Sequence, residues 1–463
     1  MDGDSQAFSA LNFAKLQAMH QKSSITTAVP WVGFSRPQRS TLAYRALLLF
    51  TVYYFLRPED FIPGLVYIPL GKIIGGIALL ALFFGLPSKD RPKLPAEVKI
   101  LLLLLADMIL TIPFALWKGG SFNVVVNDFS KAVIVAALVF FAITSLRELR
   151  RLLYLQAALV VLVTSASLLV HHTKEGRLMG LQKGFLENPN DLAINIAINF
   201  PLCVAFMLAA KGSRKLLWAA GLAFMMYGIV ATYSRSGMVA LFITGLICLW
   251  EFGIKGRRTY LLAGAAVIVI VGAGVMLAQP HYLARLKSLV AGGAVEGSGD
   301  RGSLEARSEL LKEAISLTFH HPLFGVGPGN FQVVTNKWRV VHNTYAELGA
   351  ETGFPGLILF LLVLGFSFRR LKQVRKLPSH EANPEIRLWR SALWAALAAY
   401  ATGSLFASTE YNLFPYFVVG YICALYNIAD TSVEAPGCSG DDGPGGKVRN
   451  HDTNGRRELA GTR

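Results

Sequence analysis

Only four cysteines occur in 463 residues, and they form neither a CxxC pair nor a Cys/His spacing. Cys203, Cys248 and Cys423 lie inside apolar runs and Cys438 in a polar tail. That pattern predicts no disulfide and no zinc site. Charge is scarce too: 16% of residues are Asp, Glu, Lys or Arg, against 53% hydrophobic, and mean hydropathy is +0.45. So little charge excludes an ordinary soluble domain. Acidic residues are the scarcer sign, 29 against 45 Lys and Arg, a net charge of +16. In a soluble chain such a balance suggests nucleic acid. In an apolar chain it marks cytoplasmic loops and contacts to anionic headgroups, so no nucleic-acid partner is expected. A cleavable leader is also lacking: the first apolar run, Thr41 to Leu56, is followed by Arg57-Pro58-Glu59-Asp60 and no small-residue cleavage site. It reads as a retained helix.

What is present is a series of apolar stretches, at about 41–56, 64–86, 99–117, 130–146, 152–170, 190–210, 215–231, 237–253, 259–278, 354–368, 388–408 and 412–429. A hydrocarbon core about 30 Å thick needs roughly 20 apolar residues per helix. The expected architecture is an all-α polytopic membrane protein of about twelve transmembrane helices. Several stretches are short, the first least certain to span because it is short and carries Arg45. With the N-terminus inside, about twenty Lys and Arg fall on the cytoplasmic turns. Only Arg57, Lys118, Lys174, Arg177, Lys183 and Arg235 fall on the opposite short loops. The positive-inside rule is then met at every cytoplasmic turn.

The expected organisation is a cytoplasmic tail over 1–40, nine membrane helices over 41–278, a large external loop over 279–352, three further helices over 353–429, and a disordered cytoplasmic tail over 430–463. The loop is too long to be structureless and still compact. After Gly-rich stretches, Ser303 is placed to cap an amphipathic helix over 304–319. A turn follows, His321-Pro322-Leu323-Phe324-Gly325-Val326-Gly327-Pro328-Gly329-Asn330-Phe331. A short helix, 343–352, then leads through Gly353 into the tenth span. The loop reads as a folded cap of short helices.

The informative polar residues are those outside the basic loops. Arg177 precedes Glu187-Asn188-Pro189-Asn190-Asp191. There Asn190 or Asp191 can cap the sixth span, and a helix N-terminus beside an arginine suits an anion. The bland alternative is a solvated loop arginine. Arg235, in Tyr233-Ser234-Arg235-Ser236-Gly237, lies in the short connection between two spans, at the membrane boundary. It either snorkels to headgroups or serves the site. His342 stands where the cap returns to the membrane, and its ordinary pKa of about 6.5 suits a general base. A histidine at a helix start also serves as a cap or packing residue. His320, His321, His171 and His172 make no HxxxH pair. No metal and no cofactor are expected.

Two external arginines, a helix N-terminus and a histidine suggest glycosyl transfer from a lipid diphosphate. Diphosphate is a good leaving group needing charge stabilisation, while the acceptor alcohol needs a base.

These residues resemble the O-antigen ligase and Wzy-type polymerase superfamily of bacterial envelope glycan enzymes, over about 176–366. Gly176-Arg177-Leu178 with Asn188-Pro189-Asn190-Asp191-Leu192-Ala193 is similar to its RL(S/T)G…NPN-LA segment, and Tyr233-Ser234-Arg235-Ser236-Gly237 to its SR-G segment. Arg307, the turn from His321 to Phe331, His342-Asn343-Thr344-Tyr345 and Glu351-Thr352-Gly353 are similar to its R…HP-GVGPGNF…HN-Y…E-G pattern.

The resemblance implies a GT-C-like membrane fold and metal-independent transfer of a glycan from undecaprenyl diphosphate to an acceptor glycolipid or glycan. It implies a multi-pass protein in the lipid bilayer of the bacterial inner membrane, with a periplasmic active site. Carried over residue by residue, His342 is the base and Arg177, Arg235 and Arg307 meet the donor diphosphate. Asn188, Asn190, Asn343 and Tyr345 support them. The linker 182–187 is longer and more polar than the family pattern. The other classes are a lipid-linked oligosaccharide flippase, with Asp107 and Lys131 as intramembrane charges, and a noncatalytic assembly subunit. Glu410 and Tyr411, in the last external turn, are candidate sugar contacts.

Overall fold

A computed structural model of the chain describes residues 41–62, 64–85, 92–174, 176–181, 187–256, 258, 261, 300–337 and 339–431. The expected ninth span, the Gly-rich start of the large loop and both tails lie outside the described residues, apart from Leu261 and a residue or two at the edge of the C-terminal tail.

The other eleven apolar stretches all fall in helices. These are α1 (Thr41–Leu56), α2 (Leu70–Gly85), α3 (Ala96–Thr111), α4 (Lys118–Ala142), α5 (Leu146–Leu169), α6 (Pro189–Ala209), α7 (Ser213–Ala231) and α8 (Arg235–Cys248, continued as a π-turn over Leu249–Ile254). After the loop helices α9 (Asp300–His320) and α10 (Phe331–Val334) come α11 (Thr344–Lys376), α12 (Pro378–Ala382), α13 (Pro384–Gly403) and α14 (Phe414–Thr431). The described residues include a single small sheet, the antiparallel hairpin β1 (Thr173–Lys174) and β2 (Arg177–Leu178).

Among the described residues six helices are long and apolar enough to cross a membrane, α4 to α8 and α11, and Leu70–Phe84 is a shorter apolar helix. The chain is an all-α, multi-pass membrane protein. The count is smaller than the twelve expected because α1 and α3 have 16 residues each, against the roughly 20 a span needs. Hydropathy in α13 is diluted by Glu385, Arg387 and Arg390.

The core sits where α13 packs on α6 and α8, α11 on α3, and α14 on α4. A polar thread crosses it: the Tyr421 hydroxyl donates to Gln156 Oε1 (2.6 Å), and Gln156 Nε2 donates to Asn199 Oδ1 (2.8 Å). Both Gln156 and Asn199 are fully buried, so each polar atom needs such a partner.

One end of the bundle is locked by ion pairs. Arg370 makes a bidentate pair with buried Glu97 (2.6 and 2.7 Å). Glu251 accepts from Arg390 (2.7 Å), Ser391 (2.9 Å) and Lys255 (2.6 Å). Planar guanidinium forks match carboxylates well. These contacts gather the basic turns after α8 and between α11 and α13. His342 lies beyond the other end of α11.

That other end is shaped by the turn after α9. Val326 N donates to Ala350 O (2.9 Å), Gly327 N to Glu351 O (2.9 Å) and Phe354 N to Pro322 O (2.8 Å). The turn therefore rides directly on the first turns of α11. Gly353, at φ 70°, breaks the helix there, and a Cβ on it would lie 2.6 Å from Pro322 O. Only glycine meets both the left-handed backbone and the close approach. The loop helix begins at Asp300 and not at Leu304, so Ser303 lies within it instead of capping it.

Candidate active site at one end of the bundle

Arg177 enters the site on the β1–β2 hairpin, half-buried. Its Nε donates to Thr232 O (2.9 Å) and its Nη2 to Asn190 Oδ1 (3.0 Å). It is therefore a held side chain and not a solvated loop arginine. Two of its five donor hydrogens anchor it to the C-terminus of α7 and the first turn of α6.

Asn188 and Asn190 divide the work differently from the sequence expectation. Asn188 is the N-cap of α6, accepting from Asn190 N (2.9 Å), with Pro189 at the first helical position. Proline suits that position because its missing N–H is one the helix cannot use. Asn190, buried, is not the cap and is free to receive Arg177.

Arg235 opens α8, directly after Ser234, which caps the helix by accepting from Gly237 N (3.1 Å). A Cβ on Gly237 would lie 2.3 Å from Ala193 Cβ, so this glycine lets α8 start against α6. Its backbone position is close in sequence to Thr232, which Arg177 grips. The helix starts of α6 and α8 and the arginine of the hairpin thus share one locality.

The third block arrives from the loop. His342 has a left-handed backbone, φ 58°, a conformation costing a bulky residue of order 1 kcal/mol or more. Asn343 caps α11 by accepting from Ala346 N (3.0 Å) and donates to Leu405 O (3.1 Å). The Tyr345 hydroxyl donates to Ala401 O (2.7 Å). Asn343 therefore ties the His342 segment to the turn between α13 and α14, and Tyr345 ties it to the last turn of α13.

His342 is half-buried, and its imidazole pKa is pushed down from 6.5 to about 4. Burial is the main cause, followed by the positive charges of Arg307 and then Arg177. The structure thus brings together three of the expected residues, His342, Arg177 and Arg307, in one electrostatic neighbourhood.

Sequence reasoning missed part of the support. Glu347, buried, accepts at Oε2 from Val341 N (3.2 Å) and from the Ser408 hydroxyl. Glu351 accepts from Gly329 N (2.8 Å), Phe331 N (3.2 Å) and the Tyr411 hydroxyl (2.5 Å), so its carboxylate holds the Gly-rich turn. Glu410 is buried at 2% exposure. Its carboxyl is pushed well above the ordinary range by burial, then by Glu347 and Glu351. Glu410 is therefore an internal group, while half-buried Tyr411 gives its hydroxyl to Glu351. A signal did exist for Glu347, four residues after Asn343 on the same helical face.

No three His, Cys, Asp or Glu side chains converge as metal ligands among the described residues. Asp107 lies on α3, its carboxyl against Gly356 of α11, within helix packing.

No curated protein matches the chain. The family model described as O-antigen ligase matches residues 220–361, the segment that carries Arg235, Arg307, His342, Asn343, Tyr345, Glu347 and Glu351. Over this segment the chain is similar to the O-antigen ligase family.

Proposed function

We propose that this multi-pass protein is a membrane glycosyltransferase. It moves a glycan from an undecaprenyl-diphosphate-linked donor to an acceptor hydroxyl at the external face of the bacterial inner membrane, as an O-antigen ligase or polysaccharide polymerase. The observation carrying the reading is the half-buried His342 imidazole within the electrostatic reach of Arg307 and Arg177. A base beside two guanidinium groups fits a reaction in which an alcohol loses a proton while a diphosphate leaves.

In this reading Arg177, Arg235 and Arg307 hold the donor diphosphate, where bidentate guanidinium contacts are strongest. The acceptor oxygen forms a bond to the anomeric carbon. The bond from that carbon to the diphosphate breaks, and the electron pair leaves with undecaprenyl diphosphate. The acceptor proton passes to His342. The arginines neutralise charge growing on the leaving group, so the step needs no general acid. Asn188 and Asn190 fix the α6 start and Arg177, while Asn343 and Tyr345 fix the start of α11.

At rest the two arginines weaken His342 as a base. A bound diphosphate carries negative charge into the same space and offsets them, so the imidazole gains basicity only when donor is present.

The test is transfer in nanodiscs, with an undecaprenyl-diphosphate glycan as donor and lipid A core or a second lipid-linked repeat as acceptor. Wild type is expected to transfer glycan and release undecaprenyl diphosphate. His342→Ala is expected to bind donor and lose transfer by about 10²-fold or more, the range of a general base. Undiminished transfer by His342→Ala would overturn the reading.

A further inference from the structure

The neighbourhood of His342 contains a bond chain that the proposed chemistry does not use. His342 N donates to Ser408 Oγ (3.2 Å), and the Ser408 hydroxyl in turn donates to Glu347 Oε2. The same carboxylate oxygen accepts from Val341 N (3.2 Å). Two successive backbone N–H groups, those of Val341 and His342, are thus tied to one buried carboxylate, the second through a hydroxyl.

The conformation these bonds hold is an uncommon one. A histidine at φ 58° persists only where its surroundings over-determine it. Thr344 completes the clamp: its N–H donates to Ser404 O (2.9 Å) and Ala407 O (3.0 Å), and its hydroxyl accepts from Thr409 N (2.9 Å). Those bonds fix where the segment sits. The Glu347–Ser408 chain fixes how the backbone turns at His342, and so where the imidazole points.

We propose that Ser408, held by Glu347, is the positioning residue for His342, setting the left-handed turn that aims the imidazole at the acceptor hydroxyl. This rests on the function proposed above, with His342 as the base. Ser408 itself touches no reacting atom in this proposal. Its removal leaves the His342 N–H without its acceptor, and the strained turn relaxes toward an ordinary backbone.

The experiment is a double-mutant cycle in nanodiscs, with an undecaprenyl-diphosphate glycan as donor and lipid A core as acceptor. Ser408→Ala is expected to lower kcat about tenfold while donor KM stays within about twofold, since small misplacements of a catalytic group cost rate more than binding. Ser408→Thr keeps the hydroxyl and is expected to recover most of the rate. In a His342→Ala background, Ser408→Ala is expected to cause no further loss, because residues acting as one unit are not additive. An equal further loss in that background, a change confined to KM, or an unchanged kcat would overturn the positioning role. If His342→Ala abolishes transfer and Ser408→Ala is silent, only this inference fails. If His342→Ala itself transfers normally, the base assignment fails and takes this inference with it.

Discussion

Lowering the pH perturbs the proposed base directly. His342 is held neutral by burial and by Arg307 and Arg177, which push its pKa from 6.5 to about 4. That difference corresponds to an imidazolium about 3 kcal/mol less favourable than in water. At pH 5.5 an ordinary histidine is roughly nine-tenths protonated and unable to accept a proton, whereas one titrating at about 4 is only about 3% protonated. The sign follows: a depressed histidine pKa keeps the base competent as pH falls, and competence is lost only near pH 4. The assay is glycan transfer from pH 4 to 8, read as kcat/KM, which reports the free enzyme. The expected acid limb lies near pH 4 to 5. Arg307→Gln removes the larger of the two arginine contributions and is expected to move that limb upward. With donor bound, the diphosphate offsets the arginines, so the acid limb of kcat is expected at a higher pH than that of kcat/KM. A kcat/KM limb centred between 6 and 7 in wild type would refute the electrostatic account of the site.

Arg177→Lys keeps the charge but cannot reproduce the fork that spans Thr232 O and Asn190 Oδ1. Its donor KM is expected to rise at least tenfold, measured by transfer at varied donor, and a wild-type KM would remove the geometric requirement. Transfer is expected to survive EDTA, because guanidinium groups supply the charge; loss on chelation with recovery on adding a divalent cation would contradict this. Gly353→Ala meets both a left-handed φ and the Pro322 carbonyl oxygen. It is expected to destabilise the protein by about 2 kcal/mol or more, read as a lowered midpoint in thermal unfolding in detergent.

Periodicity and apolar length were enough to locate the helices, since α1 and α5 to α8 begin and end close to the runs of apolar residues. Their caps were less legible. Asn188, Asn190 and Asp191 all have cap chemistry, and only the position of Pro189 at the first helical turn identifies Asn188. Arg177 and His342 were found because cations and a titratable ring are rare near apolar runs, so each stood out, whereas Arg307 was found through the family resemblance alone. Glu347 and Ser408 did not stand out, and Glu351 appeared only within the family pattern, without a role. Their roles depend on the turn between α13 and α14 folding back over the start of α11, a contact across about 60 residues that no local pattern encodes. Glu351 illustrates this: its partners Gly329, Phe331 and Tyr411 lie 22 and 20 residues before it and 60 after it.

The arrangement also accounts for the acidic residues around a site meant for an anion. Glu347 and Glu351 are engaged in hydrogen bonds with backbone N–H groups and hydroxyls. They act as braces, fixing the Gly-rich turn and the backbone before His342, and their bonding capacity is consumed there. The guanidinium of Arg177, in contrast, is anchored by neutral acceptors, a carbonyl and an amide oxygen. These two acceptors orient it between the first turn of α6 and the C-terminus of α7. Separate groups of hydrogen bonds thus set Arg177 and the backbone before His342, so in the proposed function the diphosphate-binding group and the proton acceptor are positioned independently of each other.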